Sequence, residues 1–409
     1  MSTPRTRGRS LATAAAIVLL LLVGGVAGAV VDRAVLHRTP SGSRGTTSTS
    51  AAPGTTGTRS GTTGTASSTT SSTTSAPPAA LTVVSVSPAS GAAGVAADSP
   101  IVVSLSAPVA KGSPAPTLVP ATPGSWHSSG ATFTFTPASE FLPLSHMTVT
   151  VPGGAGGVVG AAGGHLARSV SERFQVANGS VERVQQLLSL LDYSPLSFVP
   201  AGAPIPASDS AAQISALYRP PAGRFAWRSP TWPAQLRAMW QPGVNSTFTR
   251  GLIMSFQADH GLIPNGTIGG SLWPALVSAV ASNAVNTGGY NYALADKAAP
   301  ESLTIYHNGR VVLRSPANTG IGASPTPDGT FPVFERLRRQ VMRGTNPNGS
   351  SYADLVQYIA YFNGNDAVHY MDRADYGIPQ SLGCIELPFL DAAKAWPYLA
   401  YGTLVTIVN

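Results

Sequence analysis

The sequence contains a single cysteine, Cys384, so no disulfide bond can form within the chain. A lone thiol is buried and inert, paired to another molecule, or used chemically, and its neighbours decide which. Charged residues make up only 11% of the chain, and its only lysines are Lys111, Lys297 and Lys394. Basic residues are not interleaved with aromatic ones as they would be on a nucleic-acid-binding surface, so we expect no nucleic-acid partner.

Glycine and proline are abundant by contrast, with 43 and 35 occurrences among 409 residues. This composition favours β-domains joined by flexible segments over a long helical bundle. A chain of this length is also too long for one ordinary core, so several domains are expected. The formal net charge of +7 comes mainly from arginine and favours anionic partners such as lipid headgroups or an acidic cell wall.

The N-terminal part of the sequence predicts export and a tether. An uncharged stretch, 11–31, follows the arginine-rich residues 1–10, which are expected to be cytoplasmic. At a rise of 1.5 Å per residue the stretch spans about 30 Å, one bilayer core, so we predict a single-pass membrane anchor. A cleaved signal peptide is the alternative, because Ala-Gly-Ala at 27–29 fits a cleavage site. Residues 32–80 are rich in Ser and Thr and are predicted to be a disordered linker, with the folded domains outside in the cell envelope.

Residues 81–177 alternate short apolar strands with Pro and Gly, as in PIVVSLSAPV and ATFTFTP. This pattern predicts an immunoglobulin-like β-sandwich. The stretch SPASGAAGVAADSPIVVSLSAPV resembles the start of bacterial immunoglobulin-like domains in cell-surface proteins. We expect Trp126 in the core, His127 in a loop, and a spacer role without chemistry.

Residues 178–285 change to a helical period, with apolar residues three or four apart in VERVQQLLSLLDY. Farther along, the chain resembles the peptidoglycan-binding-domain-1 family. The residues that carry this resemblance are Phe256, Gln257, Gly261, Leu262, Asn265, Gly266, Leu272, Trp273 and Leu276. Most of them form cores or turns, so the resemblance implies a small helical fold more than a ligand. No other His or acid has ligand spacing to His260, so we predict no metal there.

The last region, 300–409, carries an ordered set of motifs. The segment SLTIYHNGRVVLRSPA predicts a β-hairpin with a tight turn at Asn308-Gly309. The motifs that follow are Thr319-Gly320, TPDGTF at 326–331, AVHY at 367–370, SLGCIEL at 381–387 and GTLVTIV at 402–408. Together they resemble the catalytic domain of L,D-transpeptidases, the YkuD-like fold, which implies a mainly β C-terminal domain.

The motif residues fit acyl transfer, which needs a nucleophile, a base and donors for the developing oxyanion. Cys384 supplies the nucleophile, and His369 is expected to take the thiol proton and return it to the leaving amine. Gly383 lets the backbone approach the substrate, so the amides of Gly383 and Cys384 are expected to point at one carbonyl oxygen while Ser381 braces the loop. The resemblance implies that the carbonyl of Tyr370 orients the imidazole. Without the surrounding motifs, the lone Cys and His would be interpreted as core residues.

The segment 335–362 lies between the hairpin and the His369 strand, and the resemblance implies that it forms a lid. Its arginines are candidates for pairing with carboxylates of peptidoglycan stems, or else form a solvated charge run. They are Arg336, Arg338, Arg339 and Arg343. Among substrate-binding candidates we include Arg343, together with Met342 and Tyr352, which are expected to pack the lid.

Two positions depart from the family pattern. Leu382 stands where the family usually has His or another polar residue, and Glu386 stands where it often has Arg or Asn. Glu386 is a further substrate-binding candidate, since its charge would repel a stem carboxylate or attract an acceptor amine.

We therefore predict a cysteine-dependent L,D-transpeptidase, an acyltransferase that joins peptidoglycan stem peptides. The alternatives are an L,D-carboxypeptidase, with water as acceptor, and a catalytically silent cell-wall-binding protein. We expect a monomer on the membrane with no cofactor and no metal.

Overall fold

The structure, a computed structural model, describes residues 78–409. The predicted cytoplasmic residues 1–10, the predicted anchor 11–31 and almost all of the predicted linker 32–80 lie outside the described residues. No helix in the described part of the chain is both long and apolar enough to cross a membrane. The described residues form a mainly β fold, which confirms the predicted fold class.

Residues 81–177 form the predicted β-sandwich. Its strands are β1 (Val83–Ser87), β2 (Ile101–Leu105), β3 (Thr117–Val119), β4 (Gly124–Ser129), β5 (Thr132–Pro137), β6 (His146–Val151) and β7 (Val170–Gln175). One sheet has the order β1-β2-β5-β4 and the other the order β3-β6-β7. Every second residue of β2, from Ile101 to Leu105, is buried, because side chains alternate between the two faces of a strand. Trp126 packs against this core, as expected. The expectation of a loop at His127 is wrong, because this residue lies within β4 with its side chain exposed.

Residues 178–285 form helices around a small hairpin. The helices are α1 (Val181–Leu190), α2 (Ser210–Tyr218), α3 (Ala234–Ala238), α4 (Thr247–Asp259) and α5 (Leu272–Ser282), and the hairpin strands are β8 (Leu196–Pro200) and β9 (Gly223–Trp227). The predicted stripe is buried as Val184, Leu187, Leu188 and Leu191. The hairpin lies in the Pro-rich stretch 195–233, where the prolines obscure its alternation. His260 follows α4 and stacks on Phe256, with ring centroids 4.1 Å apart.

The helical region and the C-terminal region share one apolar core. Phe248 of α4 belongs to the same buried cluster as Leu404. A Cβ at Gly251 would lie 2.7 Å from the carbonyl oxygen of Gly402, so only glycine lets the helix approach this closely. The predicted domain 178–285 is therefore not packed independently of the region that follows it.

The C-terminal region consists of two sheets and a short helix. The strands of the first sheet are β10 (Asn291–Asp296), β11 (Ser302–His307), β12 (Arg310–Pro316), β13 (Gly329–Pro332) and β18 (Leu404–Val408). The second sheet contains β14 (Glu335–Thr345), β15 (Ser351–Asn363), β16 (Asp366–Tyr370) and β17 (Ile385–Leu387), and α6 (Phe389–Ala395) follows it with a 3-10 turn (Trp396–Tyr398). Strand β10 precedes the predicted boundary at residue 300, yet it pairs with both β11 and β18. The predicted turn is present, with φ of 49° at Asn308 and 81° at Gly309.

The two sheets enclose a second apolar core. Leu303, Ile305 and Ile407 of the first sheet share a buried cluster with Val368 and Ile385 of the second. This packing holds β16 and β17 in place through their buried face. His369, the candidate base, belongs to β16, and Cys384, the candidate nucleophile, immediately precedes β17.

Candidate active site

Cys384 and His369 line one cavity because they lie on adjacent parts of the second sheet. His369 belongs to β16 and Cys384 immediately precedes β17, and the two strands run parallel with His369 opposite Glu386. Both residues line a cavity of about 780 Å³, and the hairpin of β14 and β15 forms another of its walls. The structure therefore brings the predicted nucleophile and base together.

The His369 ring is held in one orientation. Its Nδ1 lies 2.9 Å from the carbonyl oxygen of Tyr370, and because a carbonyl only accepts, Nδ1 carries the proton. The other nitrogen, Nε2, is left with a free lone pair. Burial lowers the pKa of His369, while the Tyr370 hydrogen bond and the charge of Glu386 oppose that shift. The imidazole is therefore a neutral base near pH 7, oriented by the residue that the family resemblance implies.

The Cys384 thiol is in a resting state rather than an activated one. Its Sγ donates to the carbonyl oxygen of Asn365 at 3.7 Å. Burial raises the pKa of Cys384 to about 12, with further increases from Asp366 and Glu386 and a decrease from the amide of Ala367. No hydrogen bond within residues 78–409 joins Sγ to His369, so the thiol must turn away from Asn365 to reach Nε2.

The loop that carries the nucleophile depends on Gly383 and Ser381. Gly383 has φ of +117°, a conformation that other residues rarely adopt, and a Cβ there would lie 2.3 Å from Oδ1 of Asp366, so any other residue would be strained and would displace Asp366. Ser381 Oγ donates to the Cys384 carbonyl at 2.6 Å and accepts from the Gly383 amide at 3.2 Å. The bracing role of Ser381 agrees with the prediction. The predicted oxyanion role of the Gly383 amide does not, because that amide already donates within the loop.

A neighbouring segment, 318–326, fastens the same loop from outside. Ser324 Oγ donates to the carbonyl of Leu382 at 3.0 Å, and Thr326 Oγ1 donates to that of Gly383 at 2.9 Å. Thr326 is buried and its hydroxyl also accepts from the Gly320 amide at 2.8 Å. These bonds give the Thr319-Gly320 and TPDGTF motifs a structural task in holding the nucleophile loop.

The fastening segment is itself tied to a buried carboxylate that sequence reasoning missed. Glu301 accepts from the Thr319 amide at 2.6 Å and from the Thr319 hydroxyl at 2.8 Å. The carbonyl of Thr319 in turn accepts from the Ser381 amide at 2.9 Å. Charge-assisted bonds of this kind are among the stronger ones, so Glu301 helps to set the position of the nucleophile loop.

Glu386 is not the unpaired charge that the sequence suggests. Its side chain is buried, and both of its oxygens accept from Arg373, at 2.8 Å from Nε and 2.6 Å from Nη2. This bidentate pair raises the pKa of Arg373. Glu386 also lines the cavity, and its charge still raises the pKa of Cys384, so its effect on substrate groups stays a prediction. A glutamate between Ile385 and Leu387 needs a buried partner, and that was the available signal for Arg373.

The hairpin wall, which we define as β14 and β15, holds the remaining substrate-binding candidates. Met342, Arg343 and Tyr352 all line the cavity. The other lid arginines do not: the Arg336 guanidinium lies 4.2 Å from the centre of the Trp396 ring, and Arg338 lies over Tyr358, while Arg339 is exposed. Of the four predicted arginines, Arg343 alone lines this cavity, and its binding of a substrate stays a prediction.

Three further residues of the cavity bear on its electrostatics. Leu382 lines it beside Cys384 and contributes an apolar surface. Asp354 on the hairpin wall and Asp366 at the start of β16 line it as well, and neither was singled out from the sequence. Among the described residues, no group of three or more His, Cys, Asp or Glu side chains is placed to hold a metal ion.

Comparison with known proteins agrees with this geometry. Residues 290–407 match the L,D-transpeptidase catalytic domain family (YkuD), and residues 77–176 match the bacterial Ig-like domain family (Big_5). No curated protein matches the sequence. The resemblance of the helical region to a peptidoglycan-binding domain stays a prediction.

Several solved structures are similar to the chain. An L,D-transpeptidase from Mycobacterium smegmatis is 15% identical, covering 81% of this chain and 100% of its own, with a TM-score of 0.28. L,D-transpeptidase 3 from Mycobacterium tuberculosis is 14% identical, covering 80% and 98%, with a TM-score of 0.27. The catalytic domain of the E. faecium L,D-transpeptidase is 26% identical, covering 29% and 96%, with a TM-score of 0.27. The family matches carry the assignment: this chain contains a bacterial Ig-like domain and an L,D-transpeptidase catalytic domain.

Proposed function

We propose that this protein joins peptidoglycan stem peptides by acyl transfer through a thioester on Cys384. The observation that carries the proposal is the His369 ring, which is neutral and held by Tyr370 so that Nε2 is available as a base beside the thiol. A fixed general base next to a nucleophile is the arrangement that acyl transfer requires.

The reaction follows from these two groups. Nε2 of His369 takes the thiol proton as Sγ attacks the carbonyl carbon after the L-centre of a tetrapeptide stem. The C–N bond to the terminal D-residue breaks, and His369 returns the proton to the leaving amine. An amine of a second stem then attacks the thioester, forming the cross-link and releasing the sulfur. Water in place of the amine would make the protein an L,D-carboxypeptidase.

The silent wall-binding alternative has one observation in its favour, the raised pKa of Cys384. The Asn365 carbonyl contributes to that state, because accepting a bond from S–H stabilises the neutral thiol. Turning Sγ toward His369 replaces this bond with one that stabilises the thiolate. Transfer of the proton to Nε2 leaves the net charge of the cavity unchanged, so burial opposes the transfer less than it opposes ionisation to solvent.

The proposal extends to location. Residues 11–31 would anchor the protein in the cell membrane, and the described domains would work outside it on the wall. The helical region 178–285 would help to hold the protein on its polymer. Since that region shares its core with the catalytic sheet, its role is best tested without deletion, by pelleting the whole protein with insoluble peptidoglycan after Cys384 has been blocked. Loss of pelleting after blocking would leave the helical region with a structural role only.

Intact-mass measurement tests the proposal directly. The resemblance implies that a carbapenem acylates the nucleophile, so wild-type protein should gain one drug mass and Cys384→Ala should gain none. His369→Ala should acylate at least about a hundredfold more slowly, the usual contribution of a general base. Incubation with tetrapeptide stems should then give cross-linked dimers.

The pH dependence of Cys384 alkylation, taken together with acylation, distinguishes an active enzyme from the catalytically silent alternative. With a pKa near 12, the thiolate fraction of resting Cys384 grows with pH, so alkylation by iodoacetamide should rise about tenfold per pH unit between roughly pH 7 and pH 10. The active enzyme combines this slow alkylation with ready acylation by carbapenem at neutral pH. Slow alkylation together with no acylation and no dimer formation would establish the silent alternative.

A further inference from the structure

The carboxylates that line the cavity differ in how close they lie to a positive charge. Glu386 is paired with Arg373, and the charge of Asp354 also acts on Arg373, whose pKa it raises. Asp354 and Asp366 form no salt bridge with any residue of the described part of the chain, and what separates them is position, because the charge of Asp366 acts on Cys384 rather than on Arg373. The cavity therefore contains two carboxyl groups without a salt-bridge partner among the described residues, and Asp366 is the one that lies against the loop of Cys384.

The position of Asp366 is fixed from two sides. Asn363 Nδ2 donates to its Oδ2 at 3.0 Å. Its Oδ1 lies against Gly383, where the missing side chain makes room for it. Asp366 is close enough to Cys384 for its charge to raise the pKa of that thiol. One carboxylate oxygen is thus held by the protein and the other is directed at the nucleophile loop, beside the place where the thioester forms.

We propose that Asp366 binds the protonated amine of the acceptor stem and selects amine over water in the second half-reaction. This inference rests on the proposed acyl transfer. A carboxylate beside the thiol hinders the first half-reaction, because it disfavours the thiolate. After acylation no thiolate remains to be repelled, and the same charge attracts an ammonium group to within reach of the thioester.

The proton balance gives Asp366 a defined task. The acceptor arrives as an ammonium ion and must lose two protons to become an amide. The first passes to the Asp366 carboxylate and from there to solvent, which frees the nitrogen lone pair. The second passes from the attacking nitrogen through His369 to Cys384 as the C–S bond breaks and the C–N bond forms. The burial that raises the pKa of Asp366 makes its carboxylate a better proton acceptor.

The test compares two acceptors that differ in charge. The donor is an N-acetylated tetrapeptide stem ending in D-alanine, and the acceptors are the side-chain amine of Nα-acetyl-lysine, which is protonated at neutral pH, and hydroxylamine, which is mainly neutral. Mass spectrometry gives the ratio of amide to hydrolysed acid for each acceptor. For Asp366→Asn we expect this ratio to fall about tenfold with acetyl-lysine, the loss typical of a charge-assisted bond, and to stay at the wild-type value with hydroxylamine.

The controls keep this outcome separate from misfolding and from failure of the underlying proposal. Asp372→Asn removes an exposed carboxylate of the loop after β16 that does not line the cavity, and it should keep both ratios. Carbapenem acylation of Asp366→Asn should be no slower than that of wild type, which shows that the loop is intact. An unchanged ratio with acetyl-lysine, an equal fall with both acceptors, or wild-type protein that yields only acid would overturn the role of Asp366. Wild-type protein that is never acylated would instead overturn the proposed function, and this inference with it.

Discussion

The nucleophile loop, residues 381–384, and the hairpin wall border the same cavity but are held in different ways. The polar groups of the loop each form a hydrogen bond within the loop or to the segment 318–326. They are the Ser381 hydroxyl, the Gly383 amide and the carbonyls from Leu382 to Cys384. The far end of the hairpin wall, residues 340–355, is held by the pairing of β14 with β15 and leaves apolar side chains in solvent, with Val341 42% and Leu355 58% exposed. The other end of β15 pairs with β16 and is buried.

The difference separates two requirements of acyl transfer. The chemistry needs the thiol, base and carbonyl within a fraction of an ångström of a productive geometry, and a fully bonded loop supplies that. Recognition of a stem peptide tolerates adjustment, and the exposed far end of the hairpin wall supplies that. We therefore expect substitutions in the loop to abolish reaction and substitutions in the wall to change affinity.

The largest effect should come from a pair of glycine substitutions. Gly383→Ala places a side chain 2.3 Å from Asp366 Oδ1 at a φ of +117°, and we expect acylation to fall at least about a hundredfold because the loop must shift. Gly349→Ala at the tip of the hairpin wall also has a positive φ, of +85°, but meets nothing within 4 Å. It should cost about 1 kcal/mol of stability and leave acylation unchanged.

Urea unfolding and carbapenem acylation measured on both variants check this contrast. If Gly349→Ala slowed acylation as much as Gly383→Ala, the wall would have to be regarded as part of the catalytic geometry. The comparison between the two regions would then fail.

An effect on stability rather than on reaction is expected from the ion pair of Arg373 and Glu386, which lines the cavity. Arg373→Met leaves Glu386, which is 4% exposed, without its partner, and we expect a loss of about 3 kcal/mol in the free energy of unfolding. Adding Glu386→Gln should restore most of it, because no buried charge then remains. Urea denaturation of the single and double variants measures both values. A single variant as stable as wild type would mean that Glu386 is not held as a charge.

Much of the site was predictable from local sequence, and its remainder depends on tertiary pairing. The Cys384 and His369 motifs and the Ser381 brace each act within a few residues of one another, so their spacing carries the information. Arg373 is four residues from His369, but its partner is on another strand, and nothing in the order of residues pairs it with Glu386. The tertiary structure determines which residues meet in a buried ion pair of this kind.

The same limit explains the misjudged elements of the fold. Strand β10 has its partners, β11 and β18, on both sides in space, yet it follows a linker-like stretch in sequence, so the sequence predicts a catalytic region that begins only at residue 300. The shared core of Phe248 and Leu404 joins residues far apart in the chain, so the sequence pattern does not reveal that the helical region 178–285 packs against the region 300–409. Periodicity identifies elements and does not show which of them pack together.

The smallest effect should come from the hairpin wall. Arg343 is exposed and lines the cavity, so its pairing with a stem carboxylate is screened by water and worth about 0.2–1 kcal/mol. We expect Arg343→Gln to raise the KM for the stem donor about threefold and to leave kcat unchanged, since such contacts are equal in ground and transition states. Arg339→Gln is the matched control, because Arg339 is exposed on the same strand but does not line the cavity, and it should leave KM unchanged. Steady-state kinetics at low salt measures both. A fall in kcat for Arg343→Gln would place this residue with the nucleophile loop, and an equal rise in KM for both variants would reduce its effect to overall charge.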